Sequence, residues 1–383
     1  MSDLAVPVSV AAIALLVYVL AGYPLLLAVW VALRRARPVR RAPQTPSVSV
    51  LLPVRNGERW LDAKLRTILD LDYPRAQLQV IVIDDNSTDD SRAVAERYQQ
   101  EGIILVSGTG SGKAAALNVG LAAATGDVLF FTDVRQRLDS TALRVLVEHL
   151  ADPTVGVVSG ELVILDGVTH AESNIGLYWR YEKWIRRRLS DLDSVLGATG
   201  CIYVMRRALA QPMPEGLLLD DVYLPLAAFF RGFRVLFTGE ARAYDHPTGL
   251  ESEFKRKVRT LAGNYQLLWY FPQLLLPVNR MWIHYVSHKL GRLLLPFALL
   301  ALLSATPWLP APWSLLLGSG QALFYALALL DTQLPDTNAL KRLTSPIRTF
   351  VVLMTAALAS ASILFLGGRG FWKTTHVREA RRV

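Results

Sequence analysis

A chain of 383 residues is long enough for one or two domains with a full core. Apolar residues make up 52% of it and charged ones 19%, a balance that excludes an ordinary soluble enzyme and calls for spans in a membrane. The net charge of +9 comes with no recognised nucleic-acid-binding motif, and the single cysteine, Cys201, excludes a disulfide framework or a cysteine-based zinc cluster.

Residues 4–33 carry no charge and are followed by Arg34, Arg35, Arg37, Arg40 and Arg41. A cleaved secretory signal would have a basic start and an apolar centre of about 7–15 residues. This stretch begins MSDL and is about twice that length, so it reads as an uncleaved anchor. The arginines place the following domain in the cytoplasm. From residue 47 strands and helices alternate. SVSVLLPV (47–54) is a buried-strand run, and GERWLDAKLRTILDLDYP follows with helical spacing. LQVIVIDD (78–85) is the next strand, and Ser87 is the expected cap of the helix in STDDSRAVAERYQQ. GIILVS, KAAALNVGLAAAT and DVLFFTD supply a third strand, a third helix and a fourth strand. This alternation predicts right-handed crossovers and an α/β, mainly parallel sheet with flanking helices, its strands apolar because both faces are covered.

Beyond residue 150 the pattern loosens. SNIGLYWRYEKWIRRRL (173–189) is an aromatic and basic helix, and GATGCIYVMRR (197–207) a glycine turn entering a strand. LLLDDVYLPLAAFFRGFRVLF (217–237) gives a helix and a strand with two acidic residues at its head. ESEFKRKVRTLAGNYQLLWYF (251–271) suits a helix in the membrane interface. Residues 293–330 are charge-free and broken by PWLPAPW, a turn between two spans, and residues 349–368 form a further candidate. One N-terminal and three C-terminal spans put the basic tail RGFWKTTHVREARRV outside, against the positive-inside rule. The clusters Arg34–Arg41, Arg186–Arg188, Lys255–Arg259 and the tail from Arg369 mostly lie beside apolar segments, so membrane lipids with anionic headgroups are the expected partner, and nucleic acid is not.

In parallel sheets ligands bind at the carboxyl ends of the strands, and the polar residues gather there. Pro53-Val54-Arg55-Asn56 ends the first strand, Asp84-Asp85-Asn86 the second and Thr132-Asp133 the fourth. Three such endings in register point to a site.

From Val48 to Asn264 the chain resembles the membrane-bound processive members of glycosyltransferase family 2, relatives of cellulose, chitin and hyaluronan synthases. The resemblance rests on SVLLPVRNGERWL, VIVIDDNSTDDS, GKAAALNVGLAAATGDVLFFTD, GATGCIYVMRR, LDDVYLPLAAFFRGFRV and RKVRTLAG, in that order. It implies a GT-A fold, a nucleotide-sugar donor and inversion at the anomeric carbon. Such a transfer needs a general base for the acceptor hydroxyl and positive charge for the departing diphosphate.

By that resemblance Asp221 is the base, although an aspartate at a helix start is often only a cap. Asp220 beside it makes a carboxylate pair, which favours one raised pKa. Asp85 matches the uracil-contacting aspartate and Asp84 orders the same loop, though Asp-Asn-Ser is also ordinary turn chemistry. Pro53, Arg55 and Glu58 fall where the family's first loop borders base and ribose. Lys113 and Asn118 match the donor-side GK…ALN segment, and a lysine heading a helix in a cleft meets phosphate; an exposed lysine is the commoner situation. Where the family usually has Asp-x-Asp for a divalent ion, this chain has Asp133 and Arg135. Mg²⁺ needs only one or two protein carboxylates beside phosphate oxygens, so Asp133 alone is expected to hold Mg²⁺ or Mn²⁺. Arg135 either serves the phosphates or pairs with a neighbouring carboxylate. His246 is a further candidate ligand, although a lone loop histidine is more often none. Arg256 and Arg259 fit the Gln/Arg-x-x-Arg-Trp motif and share a helix face that suits diphosphate, with lipid-facing charge as the alternative. Thr260 replaces the tryptophan. Gly200 and Cys201 match the acceptor-side turn, where a small residue lets a sugar approach. Trp179 and Trp184 read as interfacial anchors in preference to acceptor platforms.

The expected division is an anchor at 1–41, a cytosolic GT-A domain at 42–250, interface helices at 251–290 and membrane segments with a basic tail at 291–383. The expected function is polysaccharide synthesis from a UDP-sugar at a bacterial-type inner membrane. Four spans are a narrow base for a polysaccharide channel unless the protein is a homo-oligomer. A single transfer to a lipid acceptor is therefore the runner-up, and a non-catalytic membrane scaffold the third reading.

Overall fold

The apolar runs become the centre of one sheet. β1 (Val48–Val54) pairs in parallel with β2 (Leu78–Asp84) and β4 (Val128–Phe131), and β2 pairs in parallel with β3 (Ile103–Ser107). The computed structural model describes residues 2–34, 36–165, 170–246 and 250–366. Arg35 and the basic tail from Arg369 lie outside the described residues. Two units are distinguished: Arg34–Leu165 with Lys183–His246, which holds the sheet, and Met1–Leu33 with Asp166–Glu182 and Pro247–Val383.

Past β4 the sheet becomes mixed. β5 (Arg137–Leu138), β6 (Val155–Ile164), β7 (Tyr203–Arg206) and β8 (Arg234–Asp245) complete the order β3-β2-β1-β4-β7-β6-β8-β5. β7 runs antiparallel to both β4 and β6, while β6 and β8 are parallel. The expected α/β sheet with flanking helices is therefore present, with its parallel order confined mostly to the first four strands. β6 (VGVVSGELVI) escapes the sequence reading although its first eight residues are buried.

Helix periodicity explains the packing. α1 (Glu58–Leu69) presents Leu61, Leu65 and Ile68 to the sheet, all fully buried; burying each such side chain contributes about 1.5–3 kcal/mol. Lys64 lies on the same face and is 2% exposed. α2 (Ser91–Arg97) begins three residues later than Ser87 as its cap would set it. The reason is local: Asp89 Oδ1 accepts both the Ser91 N–H and its hydroxyl, whereas the Ser87 hydroxyl accepts the N–H of Asn56 at 3.0 Å. α3 (Lys113–Ala123), α4 (Ala142–Glu148) and α5 (Asp220–Phe230) complete the helices of this unit that the site and core use.

Among the described residues the second unit carries four helices long and apolar enough to cross a membrane: Asp3–Leu33, Trp282–Trp308, Trp313–Leu330 and Lys341–Phe365. Leu4, Leu25, Leu315, Leu323 and Leu329 on them are exposed, as lipid-facing side chains would be. The second of these helices starts ahead of the charge-free stretch because its polar residues find partners within the unit. Tyr23 Oη lies 3.1 Å from His284 Nδ1, Tyr18 Oη lies 2.7 Å from Ser287 Oγ, and Arg292 pairs with Glu182. The fourth begins at Lys341, ahead of residue 349, and residues 367–368 lie outside the described residues.

Candidate active site

The carboxyl ends of β1, β2 and β4 and the start of α5 lie in the sheet unit, and their side chains are wired loop to loop. After β1, Asn56 sits at φ 53° and after β2, Asn86 at φ 59°, the left-handed region that asparagine tolerates. Asn56 Oδ1 accepts the Thr88 N–H at 2.8 Å, and Asp89 Oδ2 accepts the Glu58 N–H at 3.0 Å. Glu58 Oε2 in turn accepts the Asp90 N–H at 3.3 Å. Glu58 thus staples the first loop to the second. Pro53 is half-buried inside β1, in register with Ile83.

Asp84 accepts the Ser87 N–H at 3.1 Å, ordering the loop as expected. Asp85 is 3% exposed, and its two oxygens accept the N–H groups of Gly110 (2.8 Å) and Gly112 (3.1 Å). Those glycines have φ of 73° and 100°, which a side chain would strain. Asp85 therefore shapes the glycine-rich loop that leads into α3. Arg55, half-exposed, donates to the Gly110 carbonyl at 3.3 Å and lies 3.8 Å from Asp85.

Lys113, the first residue of α3, reaches between carboxylates. Its Nζ is 2.9 Å from Asp133 Oδ1 and 3.1 Å from Asp220 Oδ2. The second approach is an ion pair off the hydrogen-bond line, leaving that buried Asp220 oxygen without a hydrogen bond. Burial disfavours the ammonium, but Asp133, Asp220 and Asp221 together outweigh burial and hold Lys113 well above the ordinary lysine range. Asn118, one turn further, spends its amide on the main chain of Met213 in both directions, at 2.8 Å each way. It fixes a loop, and the donor-contact expectation for it gives way to that role.

Asp221 heads α5 beside Asp220, and its carbonyl accepts the Ala198 N–H at 2.6 Å. A Cβ on Gly200 would stand 2.9 Å from Asp221 Oδ2. The Asp221 carboxylate thus leaves no room for a side chain at position 200. Cys201 is 4% exposed, and burial pushes its thiol up to about 12. Its side chain is part of the core and not a surface for a sugar.

The Arg135 question is answered by β8. Arg135 Nε donates to Asp245 Oδ2 at 3.1 Å, and Gln136 Nε2 donates to the same oxygen at 2.7 Å. His246 is exposed and meets Asp245 through its main-chain N–H. Among the described residues no three His, Cys, Asp or Glu side chains are grouped to hold a metal ion. Asp133, with 36% of its side chain exposed, fits one protein ligand to an ion anchored mainly by phosphate oxygens.

Arg256 and Arg259 belong to helix Leu250–Tyr270 of the other unit. Arg256 Nε donates to buried Glu253 at 3.0 Å, and its guanidinium lies 5.1 Å from the Trp179 ring centre. Thr260 gives its hydroxyl to the Arg256 carbonyl. Trp184 carries Arg188 on its face at 4.5 Å.

The sequence reading missed Lys64. Its Nζ donates to Thr132 Oγ1 at 2.6 Å and to the Gln136 carbonyl at 2.8 Å, and burial pulls the ammonium down to about 7. A lysine at the i+3 position between core leucines 61 and 65 was the available signal.

A mixed sheet with this site at its parallel strand ends defines a glycosyltransferase domain of the GT-A type. The model of glycosyl transferase family 2 matches residues 49–212, and that of glycosyl transferase family group 2 matches residues 133–329. The chain belongs to glycosyl transferase family 2. The mannosyltransferase PcManGT from Pyrobaculum calidifontis, solved in complex with GDP-Man and Mn²⁺, superposes with a TM-score of 0.71 at 24% identity. The match covers 94% of this chain and 99% of that one. At that identity the likeness is one of fold. The probable glycosyltransferase YdaM of Bacillus subtilis (strain 168) is 24% identical over 249 residues, 60% of this chain and 57% of that protein. The beta-monoglucosyldiacylglycerol synthase of Synechocystis sp. (strain ATCC 27184 / PCC 6803 / Kazusa) is 26% identical over 159 residues, 38% and 33% respectively. The matched stretch thus spans little more than half the length of the first of these curated relatives and a third of the second.

Proposed function

We propose that this chain transfers one sugar from a nucleoside-diphosphate donor to a hydroxyl of a lipid acceptor, with inversion at the anomeric carbon. The observation that carries the reading is the constellation Lys113–Asp133–Asp220–Asp221, drawn from α3, the end of β4 and the head of α5. Lys113 keeps its charge and faces the donor diphosphate once the carboxylates turn outward. Asp133 is the residue that would hold Mg²⁺ or Mn²⁺, which when bound neutralises charge growing on the departing diphosphate. Asp221 takes the proton of the acceptor hydroxyl, opposite the leaving nucleotide, and Gly200 gives its carboxylate room. Because Asp85 serves the loop backbone, UDP- and GDP-sugars both stand as donors.

Polymer synthesis loses support at two positions. Thr260 offers no ring for a polymer terminus, and Arg256 is committed to Glu253. A lipid acceptor agrees with the similarity to a beta-monoglucosyldiacylglycerol synthase and with the four candidate spans among the described residues. In this reading the sheet unit works on the cytoplasmic face of an inner membrane, with lipid headgroups as partners of the basic clusters.

The test is a panel of UDP- and GDP-sugars given to purified full-length protein with Mg²⁺ or Mn²⁺ and either lipid or glycan acceptors. Nucleotide release and product size are measured together. Asp221→Asn is expected to abolish transfer and spare nucleotide binding. Transfer retained by that variant removes Asp221 as the base, long products favour the polymer reading, and no turnover with any donor leaves a non-catalytic membrane scaffold.

A further inference from the structure

Lys64 is a lysine almost entirely without solvent, in the slot that a methionine would fill at no electrostatic cost. Its ammonium is therefore there for the hydrogens it offers. Two of its acceptors bracket one segment: Thr132 Oγ1 at 2.6 Å on one end and the Gln136 carbonyl at 2.8 Å on the other. Thr132 and Gln136 are 1% and 7% exposed, whereas Asp133 and Arg135 between them are half-buried. Because Thr132 Oγ1 accepts from Lys64, its own hydrogen goes elsewhere, and it points to the Cys201 carbonyl at 2.9 Å. Cys201 follows Gly200, the residue packed against the Asp221 carboxylate.

We propose that Lys64 is a positioning residue of the transfer site. It clamps both ends of the 132–136 loop so that Asp133 stands at one fixed place, and through Thr132 it ties that loop to the turn beneath Asp221. The inference rests on the role proposed above for Asp133 at the donor diphosphate. The segment has a second, separate anchor in Asp245, which holds Arg135 and Gln136 from β8. Arg135 and Gln136 would still be held without Lys64, while the Thr132 end would keep its bonds to the Leu51 and Cys201 carbonyls and Asp133 its ion pair with Lys113, but the tie that fixes the two ends of the loop to each other would be gone. The fold should survive, and the geometry at Asp133 should not. That separation distinguishes positioning from a staple that only stabilises.

The variants are Lys64→Met, which keeps the volume and removes the donor, Thr132→Val, which removes one leg, and Thr132→Ser, which keeps it. Full-length protein in detergent is assayed for donor KM, kcat, thermal unfolding, and Mn²⁺ affinity by electron paramagnetic resonance with UDP or GDP present. Lys64→Met is expected to weaken Mn²⁺ affinity and raise donor KM by about 10-fold or more. Thr132→Val should move both in the same direction, and Thr132→Ser should match the wild type. On the Lys64→Met background Thr132→Val should add less than it does alone, since both cut the same link. Folded Lys64→Met or Thr132→Val protein with wild-type Mn²⁺ affinity and donor KM overturns the proposal. If Lys64→Met does not fold, the Thr132 pair decides. An inactive wild type that binds no Mn²⁺ overturns the transferase reading itself, a different result from an active wild type with unaffected variants.

Discussion

Adding one methyl group at Gly200 is the sharpest available probe of Asp221. In Gly200→Ala the new Cβ would lie 2.9 Å from Asp221 Oδ2 and 3.3 Å from its Cβ and Cγ. Carbon contacts are comfortable at about 3.5–4.0 Å, so the carboxylate must withdraw by about 0.5–1 Å. A misplacement of 1 Å in a catalytic group costs about 10²-fold, and kcat is therefore expected to fall by about 30–100-fold, equivalent to about 2–3 kcal/mol. Stability should change little. Gly200 lies outside the left-handed region, so alanine fits its backbone and reduces unfolded-state entropy by about 0.4–1 kcal/mol, against the local strain. The assay is initial-rate product formation at saturating donor and acceptor, with thermal unfolding measured on the same preparation. A kcat within about twofold of wild type, in a protein of unchanged stability, would refute the placement of Asp221 at the reacting hydroxyl.

Lys113→Met leaves buried Asp220 without its counter-ion and should cost about 3 kcal/mol of stability, together with most of kcat/KM. The raised Lys113 value means its stabilisation is complete below about pH 10, the ordinary lysine value, and is lost only as pH rises through the still higher folded value. Wild-type thermal unfolding should therefore show no Lys113 step between pH 6 and 9, and a step there would contradict the ion cluster. Asp85→Asn replaces an acceptor of the Gly110 and Gly112 N–H groups; donor KM should rise about 10-fold with kcat nearly retained, one hydrogen bond to a charged group being worth about 1.5–3 kcal/mol. Cys201 is the only cysteine in the sequence and is buried with its thiol pushed up to about 12, so it gives little labelling background. With four spans, a cysteine introduced at Thr374 should react with a membrane-impermeant maleimide from the same side as one at Ser2, and labelling from opposite sides would exclude an even number of spans.

Much of the first half of the sheet was legible because local pattern and tertiary role agree there. Each of β1, β2 and β4 is a mainly apolar run closed by polar residues, and the run itself marks the candidate site at its end. Legibility failed where the cause lies far along the chain. The reversal of β7 between β4 and β6 has no local signature, and β5 has only two residues. The partner of Arg135 is 110 residues away, so residues 133–135 alone left two roles open. Asp85 and Asn118 were read as donor-side contacts by resemblance, and their hydrogen bonds to backbone were invisible to a reading by residue type. Lys64 was hidden by its class, since lysine is taken as surface unless its helical phase is checked.

The pairing of Arg135 with Asp245 bears on any attempt to build a two-carboxylate cation site at this position. Restoring a second acid by Arg135→Asp alone would not create a second ligand. It would strip Asp245 of its guanidinium, leave Gln136 as its side-chain donor among the described residues and set two anions face to face. Position 135 and position 245 form one electrostatic unit, and a workable exchange has to rewrite both together.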